Sequence, residues 1–132
     1  MNIQFNHIAL RCENIDIMAD FFVDVIGLEK GFRPPFTFPG FWLYSPENKK
    51  EAIIHIFDKG AKFSNFSSSG NNGLFDHIAF TRNTKEGYSE FIAHLKQLNI
   101  PFDENFVPDT NVKQVFVSGP EGLVVENDIT IN

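Results

Sequence analysis

Three of the four histidines and one glutamate occupy positions that suit a metal site. His7 and His77 lie in matching pentamers, residues 6–10 (Asn-His-Ile-Ala-Leu) and 76–80 (Asp-His-Ile-Ala-Phe), displaced by 77 − 7 = 70 residues. His55 and Glu126 are 126 − 55 = 71 residues apart, one residue off this repeat. Imidazole nitrogens suit zinc, iron, nickel or copper, and a carboxylate extends the choice to manganese. The sequence therefore predicts that His7, His55, His77 and Glu126 hold one divalent ion.

Each of these residues taken alone has an ordinary structural explanation. A strand histidine is more often a hydrogen-bonded core residue than a metal ligand, and Glu126 alone is an exposed strand carboxylate. Their joint placement at repeat-equivalent positions favours the metal site, because a purely structural role predicts no such matching. His94, on the polar side of the second predicted helix, is the histidine outside the repeat, and we expect it to be solvated and inert.

The repeat extends to the elements that must position these residues. Under the same shift Phe21 falls on Phe91 and Leu28 on Leu98, so the halves share an apolar framework. A repeat of this length indicates duplicated half-domains, each with a strand, a helix and further strands. The predicted strands are residues 5–11, 41–44, 52–57, 74–81, 102–107, 112–117 and 123–127; one helix starts at Asn14 or Asp16 and ends at Gly27, the other spans residues 85–98, and the Ser- and Asn-rich residues 63–73 connect the halves.

Composition narrows the class of protein. The net charge is -6 and no basic cluster is present to meet nucleic-acid phosphates. The apolar stretches are too short for a membrane helix, and the N-terminus lacks the pattern of a signal peptide. We therefore expect a single cytoplasmic domain over residues 1–132, without nucleic-acid or membrane partners. The single Cys12 offers neither an internal disulfide nor a thiolate pair, so any metal must be held by histidines and carboxylates.

Four segments carry a family resemblance: residues 6–9 (Asn-His-Ile-Ala), 21–28 (Phe-Phe-Val-Asp-Val-Ile-Gly-Leu), 75–80 (Phe-Asp-His-Ile-Ala-Phe) and 119–126 (Gly-Pro-Glu-Gly-Leu-Val-Val-Glu). In this order and spacing, nearly the whole chain resembles the vicinal oxygen chelate superfamily, which includes glyoxalase I, extradiol dioxygenases and bleomycin resistance proteins. The resemblance implies an α+β fold of two βαβββ modules, residues 1–62 and 73–132, forming a curved mixed sheet around a cavity. It also implies a small-molecule substrate and a homodimer, with the site either within one chain or shared between two.

Four further residues are candidate substrate-binding residues: Arg11, Arg33, Trp42 and Gln114. Arg11, four residues beyond His7, matches a place where glyoxalase I carries an Arg that meets an anionic substrate group; the alternative is a strand-end charge paired with Glu13 or a neighbour. Arg33 and Trp42 lie in residues 33–42, a segment dense in rigid and aromatic residues that either lines a substrate pocket or is a loop pinned over the core. A charge among so many apolar groups needs a partner, which favours a functional role for Arg33.

One residue departs from the glyoxalase I pattern. Where that enzyme has a Glu at the close of its first module, linked there with proton transfer, this chain has His55. The departure argues against a lactoylglutathione lyase. We expect an enzyme of the glyoxalase or dioxygenase type that chelates a small oxygen-bearing substrate on the metal, with Glu126 moving a proton if it can detach. The alternative is a binding protein of the bleomycin-resistance type, without turnover.

Overall fold

The computed structural model describes residues 1–62, 64–66, 74–83 and 87–131. The chain divides into two compact units, Met1–Asn72 and Gly73–Asn132. Each unit contains a four-stranded sheet, with strand orders β1-β4-β3-β2 and β5-β8-β7-β6. The two orders are the same when the second unit is renumbered from its own first strand, so the internal repeat of the sequence is also a repeat of topology.

The first unit builds its sheet around the long strand β4. β1 pairs with β4 in parallel, β3 pairs with β4 antiparallel, and β2 pairs with β3 antiparallel. Its elements are β1 (Ile8–Cys12), α1 (Ile15–Phe21) continued by a π-helical turn (Phe22–Ile26), β2 (Glu29–Lys30), β3 (Gly40–Ser45) and β4 (Asn48–Asp58). The parallel pair requires the crossover connection that α1 provides.

Local chemistry sets both ends of the first helical segment. The Asn14 side chain accepts a hydrogen bond from the Ile17 N–H at 3.0 Å, which satisfies one of the donors left over at a helix start. Gly27 ends the segment with φ at 99°, a left-handed conformation that favours glycine. Both boundaries agree with the sequence prediction.

One face of the first sheet is buried against this helical segment. Leu43, Ile54 and Ile56 on the strands and Phe22 on the helix are each at most 1% exposed. Because side chains alternate along a strand, the residues between them face the other way. Ala9, Trp42, His55 and Phe57 therefore share the opposite face of the sheet, which we call the candidate face because it carries the candidate residues Trp42 and His55.

The second unit repeats this arrangement. Its elements are β5 (Ile78–Arg82), α2 (Gly87–Gln97), β6 (Phe102–Phe106), β7 (Val112–Ser118), a short 3-10 turn (Pro120–Gly122) and β8 (Val124–Thr130). β5 pairs with β8 in parallel and β7 joins β8 to β6 antiparallel. Buried Phe91 and Leu95 of α2 and Val115 and Val125 of the sheet form the core of this unit.

The α+β fold of two βαβββ modules is confirmed. It differs from the prediction at the element ends and in the two-residue strand β2, which none of the predicted strands included. Parallel pairing begins at Ile8 and Ile78, so His7 and His77 immediately precede the strands on which they were predicted to lie. The predicted starts lie three residues before Ile8 and four before Ile78, because pairing partners decide where a strand begins. Most of the predicted connection 63–73 and the start of the second predicted helix, residues 85–86, lie outside the described residues. No helix within the described ranges is long and apolar enough to span a membrane.

Candidate metal centre

Strand register makes the candidate ligands of the two units equivalent. His55 pairs with Ala9 on one side and Trp42 on the other, and Glu126 pairs with Ala79 and Phe116 in the same way. Each histidine of the other pair, His7 or His77, lies two residues before that alanine. The one-residue offset of the 71-residue spacing is therefore absorbed outside the first and last strands of the modules.

Both His7 and His77 are oriented by the residue that precedes them. Nδ1 of His7 lies 2.5 Å from Oδ1 of Asn6, and Nδ1 of His77 lies 2.8 Å from Oδ2 of Asp76. An amide or carboxylate oxygen accepts hydrogen bonds, so Nδ1 carries a proton in both rings and Nε2 is the nitrogen left to meet another partner. A metal-binding histidine is usually held in this way by an outer partner on its other nitrogen.

In the second unit the remaining nitrogen of His77 faces a carboxylate. Nε2 of His77 lies 3.1 Å from Oε1 of Glu126, and the Gln114 amide donates to the other oxygen, Oε2, at 3.2 Å. Two lone pairs at this separation repel unless a cation lies between them, either a proton or a metal ion. The pair can therefore share a proton or bind a metal ion, and the Gln114 amide holds the carboxylate in place.

Burial and neighbouring charges tune this pair. Burial raises the pKa of the Glu126 carboxyl, and a hydrogen bond and charge from Asp128 raise it further. The hydrogen bond to Asp76 is the largest cause raising the pKa of His77, with a smaller contribution from the Glu126 charge. Both shifts favour a proton held between His77 and Glu126 when no metal is bound, which a divalent ion would displace.

In the first unit the two histidines are stacked. The rings of His7 and His55 lie 3.7 Å apart with planes 12° from parallel, and Trp42 covers the other face of His55 at 4.0 Å. An imidazole binds a metal in its own plane, so two parallel stacked rings cannot both aim a lone pair at one ion. Ligation by both His7 and His55 therefore requires one ring to turn out of the stack.

His55 is uncharged at neutral pH. Burial is the largest cause lowering its pKa to about 4, and the nearby His7 and Arg33 lower it further, against an opposing contact with the backbone. That contact joins Nε2 of His55 and the Ala52 carbonyl at 3.1 Å. A carbonyl only accepts, so Nε2 carries the proton and Nδ1 keeps the lone pair.

The two arginines predicted to bind substrate, Arg11 and Arg33, have different hydrogen-bond partners. Nη1 of Arg11 donates to the carbonyls of Lys59 and Ala61 at 2.7 and 2.6 Å, while the Glu13 carboxylate pairs with Lys59. Arg11 thus fixes the turn after β4, beside Phe57 on the candidate face. Arg33 donates from Nη2 to the Phe38 carbonyl at 2.9 Å.

Sequence reasoning did not assign roles to Asn6, Asp76 and Asp128. The Asx-His dipeptide of both halves was visible as a repeat, and the Nδ1 contacts show that the Asx residue orients the histidine ring. Asp128 lies two residues beyond Glu126 on the same face, and its Oδ1 is buried without a hydrogen-bond partner among the described residues. Nothing but ordinary strand alternation marked it in the sequence.

Solved structures with the same fold cover almost the whole chain. A Bacillus anthracis protein described as a glyoxalase family member matches with a TM-score of 0.72 at 19% identity, over 98% of this chain and 97% of its own. Lactoylglutathione lyase from Agrobacterium tumefaciens matches at 0.67 and 19%, over 96% and 92%. The fosfomycin resistance protein FosX from Listeria monocytogenes matches at 0.68 and 14%, over 98% and 94%. This chain has the fold of these proteins.

Comparison by sequence adds no family assignment to this fold. No protein-family model and no curated protein matches the sequence. At the identities above, the structural likeness establishes the fold, and the chemistry must be argued from this chain's own residues. Within the described ranges no three His, Cys, Asp or Glu side chains are grouped closely enough to hold one ion. The donors themselves, imidazole nitrogens with fixed tautomers and a buried carboxylate, are of the types that divalent transition metals bind.

Proposed function

We propose that this chain is a metal-dependent enzyme of the glyoxalase or dioxygenase type, acting on a small oxygen-bearing substrate. His7, His55, His77 and Glu126 are the proposed ligands of one divalent ion, with zinc, iron, nickel and manganese as the candidates. The observation that carries the proposal is the opposition of His77 Nε2 and Glu126 Oε1 at 3.1 Å. That separation is ordinary for two ligands bound side by side on one metal ion, each about 2.1 Å from it.

The repeated Asx-His pair supports the same proposal. Asn6 and Asp76 orient equivalent rings so that Nε2 is the nitrogen available to a metal. A histidine that only filled a core would not need an outer partner at the same place in both halves. The duplicated arrangement therefore favours ligation by His7 and His77 over a structural role.

The bound ion would act as a Lewis acid that polarises a substrate oxygen. Glu126 is the proposed proton carrier, because its raised pKa brings the carboxyl closer to neutral pH, where it can both accept and release a proton. Gln114 holds Oε2 and leaves Oε1 for the proton or the ion. Gln114 thereby acts as a positioning residue for Glu126.

His55 restricts the reaction that we propose. A neutral imidazole whose two faces are covered by His7 and Trp42 is a poor substitute for the carboxylate that glyoxalase I uses at the equivalent position. We therefore propose another lyase, an isomerase or a dioxygenase rather than a lactoylglutathione lyase. His55 joins the metal only after its ring leaves the stack.

A second candidate function is ligand binding without turnover, as in bleomycin resistance proteins. The observation in its favour is the aromatic lining of the candidate face of the first unit. Phe36 and Phe38 stack with ring centroids 5.2 Å apart, Phe36 lies 6.2 Å from Trp42, and Phe38 lies 6.4 Å from Phe57. Such rings suit an aromatic or apolar ligand.

Metal analysis of the purified protein, made before any chelator is added, tests the proposal. We expect about one divalent ion per chain, lost as pH falls and the imidazoles are protonated. The double variant His7→Ala, His77→Ala should lose the ion. Asp76→Ala should weaken metal binding by about 10- to 100-fold, the usual effect of removing an outer partner.

His94→Ala is the matched control, since it removes a partly exposed histidine of α2 outside the proposed site. We expect it to retain the ion at the wild-type level, with circular dichroism confirming that all variants are folded. Stoichiometric metal in the His7→Ala, His77→Ala variant would disprove the proposed ligand set. A wild type that takes up no divalent ion would leave the binding protein as the better assignment.

A further inference from the structure

Arg33 is a cation that the described part of the chain leaves without a carboxylate partner. No Asp or Glu oxygen lies within 4.0 Å of its guanidinium among the described residues, although the chain has 17 acidic residues against 11 basic ones. Its hydrogen-bond partner is the Phe38 carbonyl. Nε is buried and makes no hydrogen bond within the described ranges. A buried donor of a charged group that makes no hydrogen bond costs free energy, so the position of this guanidinium is unfavourable unless other contacts or a ligand compensate.

The chain around Arg33 is arranged to hold the guanidinium in one place. Pro34 and Pro35 follow it directly and restrict the backbone. Its Cζ lies 5.1 and 5.2 Å from the ring centroids of Phe36 and Phe38, within the range of cation–π attraction. These contacts fix the side chain before any ligand arrives, which lowers the entropy cost of binding.

The Arg33 guanidinium occupies the space that a side chain at residue 40 would fill. A Cβ added there would lie 2.9 Å from Nη2 of Arg33 and 2.2 Å from the Ile56 carbonyl oxygen, so a larger residue would displace both. Gly40 pairs with Phe57 on β4, and the next pair on the same face is Trp42 with His55. Arg33 therefore lies on the candidate face, beside the Trp42–His55 stack, and its charge helps to keep His55 neutral.

We propose that Arg33 binds the anionic group of a small organic substrate, a carboxylate or a phosphonate, in a site walled by Phe36, Phe38 and Trp42. A guanidinium matches the two oxygens of either group, and the aromatic walls suit the apolar part of the same molecule. This inference rests on the proposed function, because it names the class of substrate that the enzyme takes. The anion site itself requires no metal.

Trp42 is the single tryptophan of the chain, so its fluorescence reports this face alone. We would titrate the protein as purified, and again after chelator treatment, with phenylphosphonate, phenylacetate and the neutral phenylacetamide at constant ionic strength. We expect saturable fluorescence changes with one or both anions in both preparations and none with the amide. The stronger of the two anions decides between phosphonate and carboxylate.

The variants separate this site from a general charge effect. Arg33→Gln should weaken anion binding by about tenfold or more, a difference of about 1.4 kcal/mol. Lys50→Gln, which removes one charge from the exposed start of β4, should bind like the wild type. Arg33→Lys keeps the charge without the planar fork and should fall between them.

Each outcome decides the inference independently of the metal proposal. Anion binding that persists in the chelator-treated protein and is lost in folded Arg33→Gln supports the inference, even if metal analysis fails. Anion binding that disappears with the metal, or that is equal in Arg33→Gln and wild type, overturns it. Equal binding of the amide and the anions would also overturn it, since the aromatic walls alone would then explain the affinity.

Discussion

His55 is a candidate ligand with a lowered pKa, although strand register makes it the equivalent of the acidic Glu126. Its folded-state pKa of about 4 lies below the ordinary value of 6.5. Between pH 6.5 and about pH 4, His55 is protonated in the unfolded chain but stays neutral in the folded chain. The free energy of unfolding should therefore be independent of His55 above pH 6.5 and fall as pH drops toward 4.

Urea unfolding of the chelator-treated protein at several pH values across this window measures the effect. His55→Phe keeps an aromatic ring to stack on Trp42 and removes the titrating group, so it is the matched control. We expect the wild-type midpoint to fall more steeply with decreasing pH than that of the variant. Identical pH profiles would show that the stack does not exclude the proton. His77 has a raised pKa, so its contribution to the free energy of unfolding increases as pH falls, and it does so in both proteins.

The site residues show what sequence can and cannot predict at this scale. Alternation along strands has a period of two, so a repeat of about 70 residues was enough to put His55 and Glu126 on equivalent faces. Ring orientation depends on side-chain rotamers, which the sequence does not state. Only the structure could therefore show that His7 stacks on His55 and that Arg11 donates to two backbone carbonyls.

Among the elements, the first helical segment depends most clearly on a single residue. α1 has seven residues before the π-helical turn, so it is too short to be stable through its own hydrogen bonds. Asn14 satisfies one of its free N–H groups through the 3.0 Å bond to Ile17. Asn14→Ala should lower the free energy of unfolding by about 1 kcal/mol.

Asn14→Asp is the control, because a carboxylate still accepts the hydrogen bond at the helix start. We expect it to keep nearly all of the wild-type stability in urea unfolding followed by circular dichroism. An Asn14→Ala variant as stable as the wild type would show that the packing of Phe22 and Met18, both buried, holds the segment without the cap.

Helix starts and stops were predictable because capping chemistry is local. Asn14 and Gly27 act through their own side chain and φ angle, and both ends of the segment were found from sequence. The π-helical turn of residues 22–26 was missed, because one extra residue per turn leaves the apolar pattern nearly unchanged. Strand ends were missed by up to four residues, since pairing partners, and not local propensity, decide where a strand begins.

For the whole molecule, a solved structure that is 19% identical has the same fold, with a TM-score of 0.72. That likeness says nothing of assembly, which the surface must decide. The N-terminal segment of the first unit exposes Ile3 at 90% and Phe5 at 81%. These residues precede β1, which is an edge strand of its sheet in the described topology. Exposed apolar side chains beside an edge strand are typical of a surface that pairs with another chain.

We therefore predict a homodimer in which this N-terminal segment takes part. Sedimentation velocity at about 10 μM should give the mass of two chains, because the Kd of a specific dimer is commonly below this concentration. Phe5→Asp should shift the protein toward the monomer, whereas Ile17→Asp, at a 56% exposed position on α1, should not. A wild type that sediments as a monomer would contradict the prediction. A dimer unaffected by Phe5→Asp would place the interface elsewhere, because a carboxylate buried in an apolar interface costs too much free energy to be tolerated there.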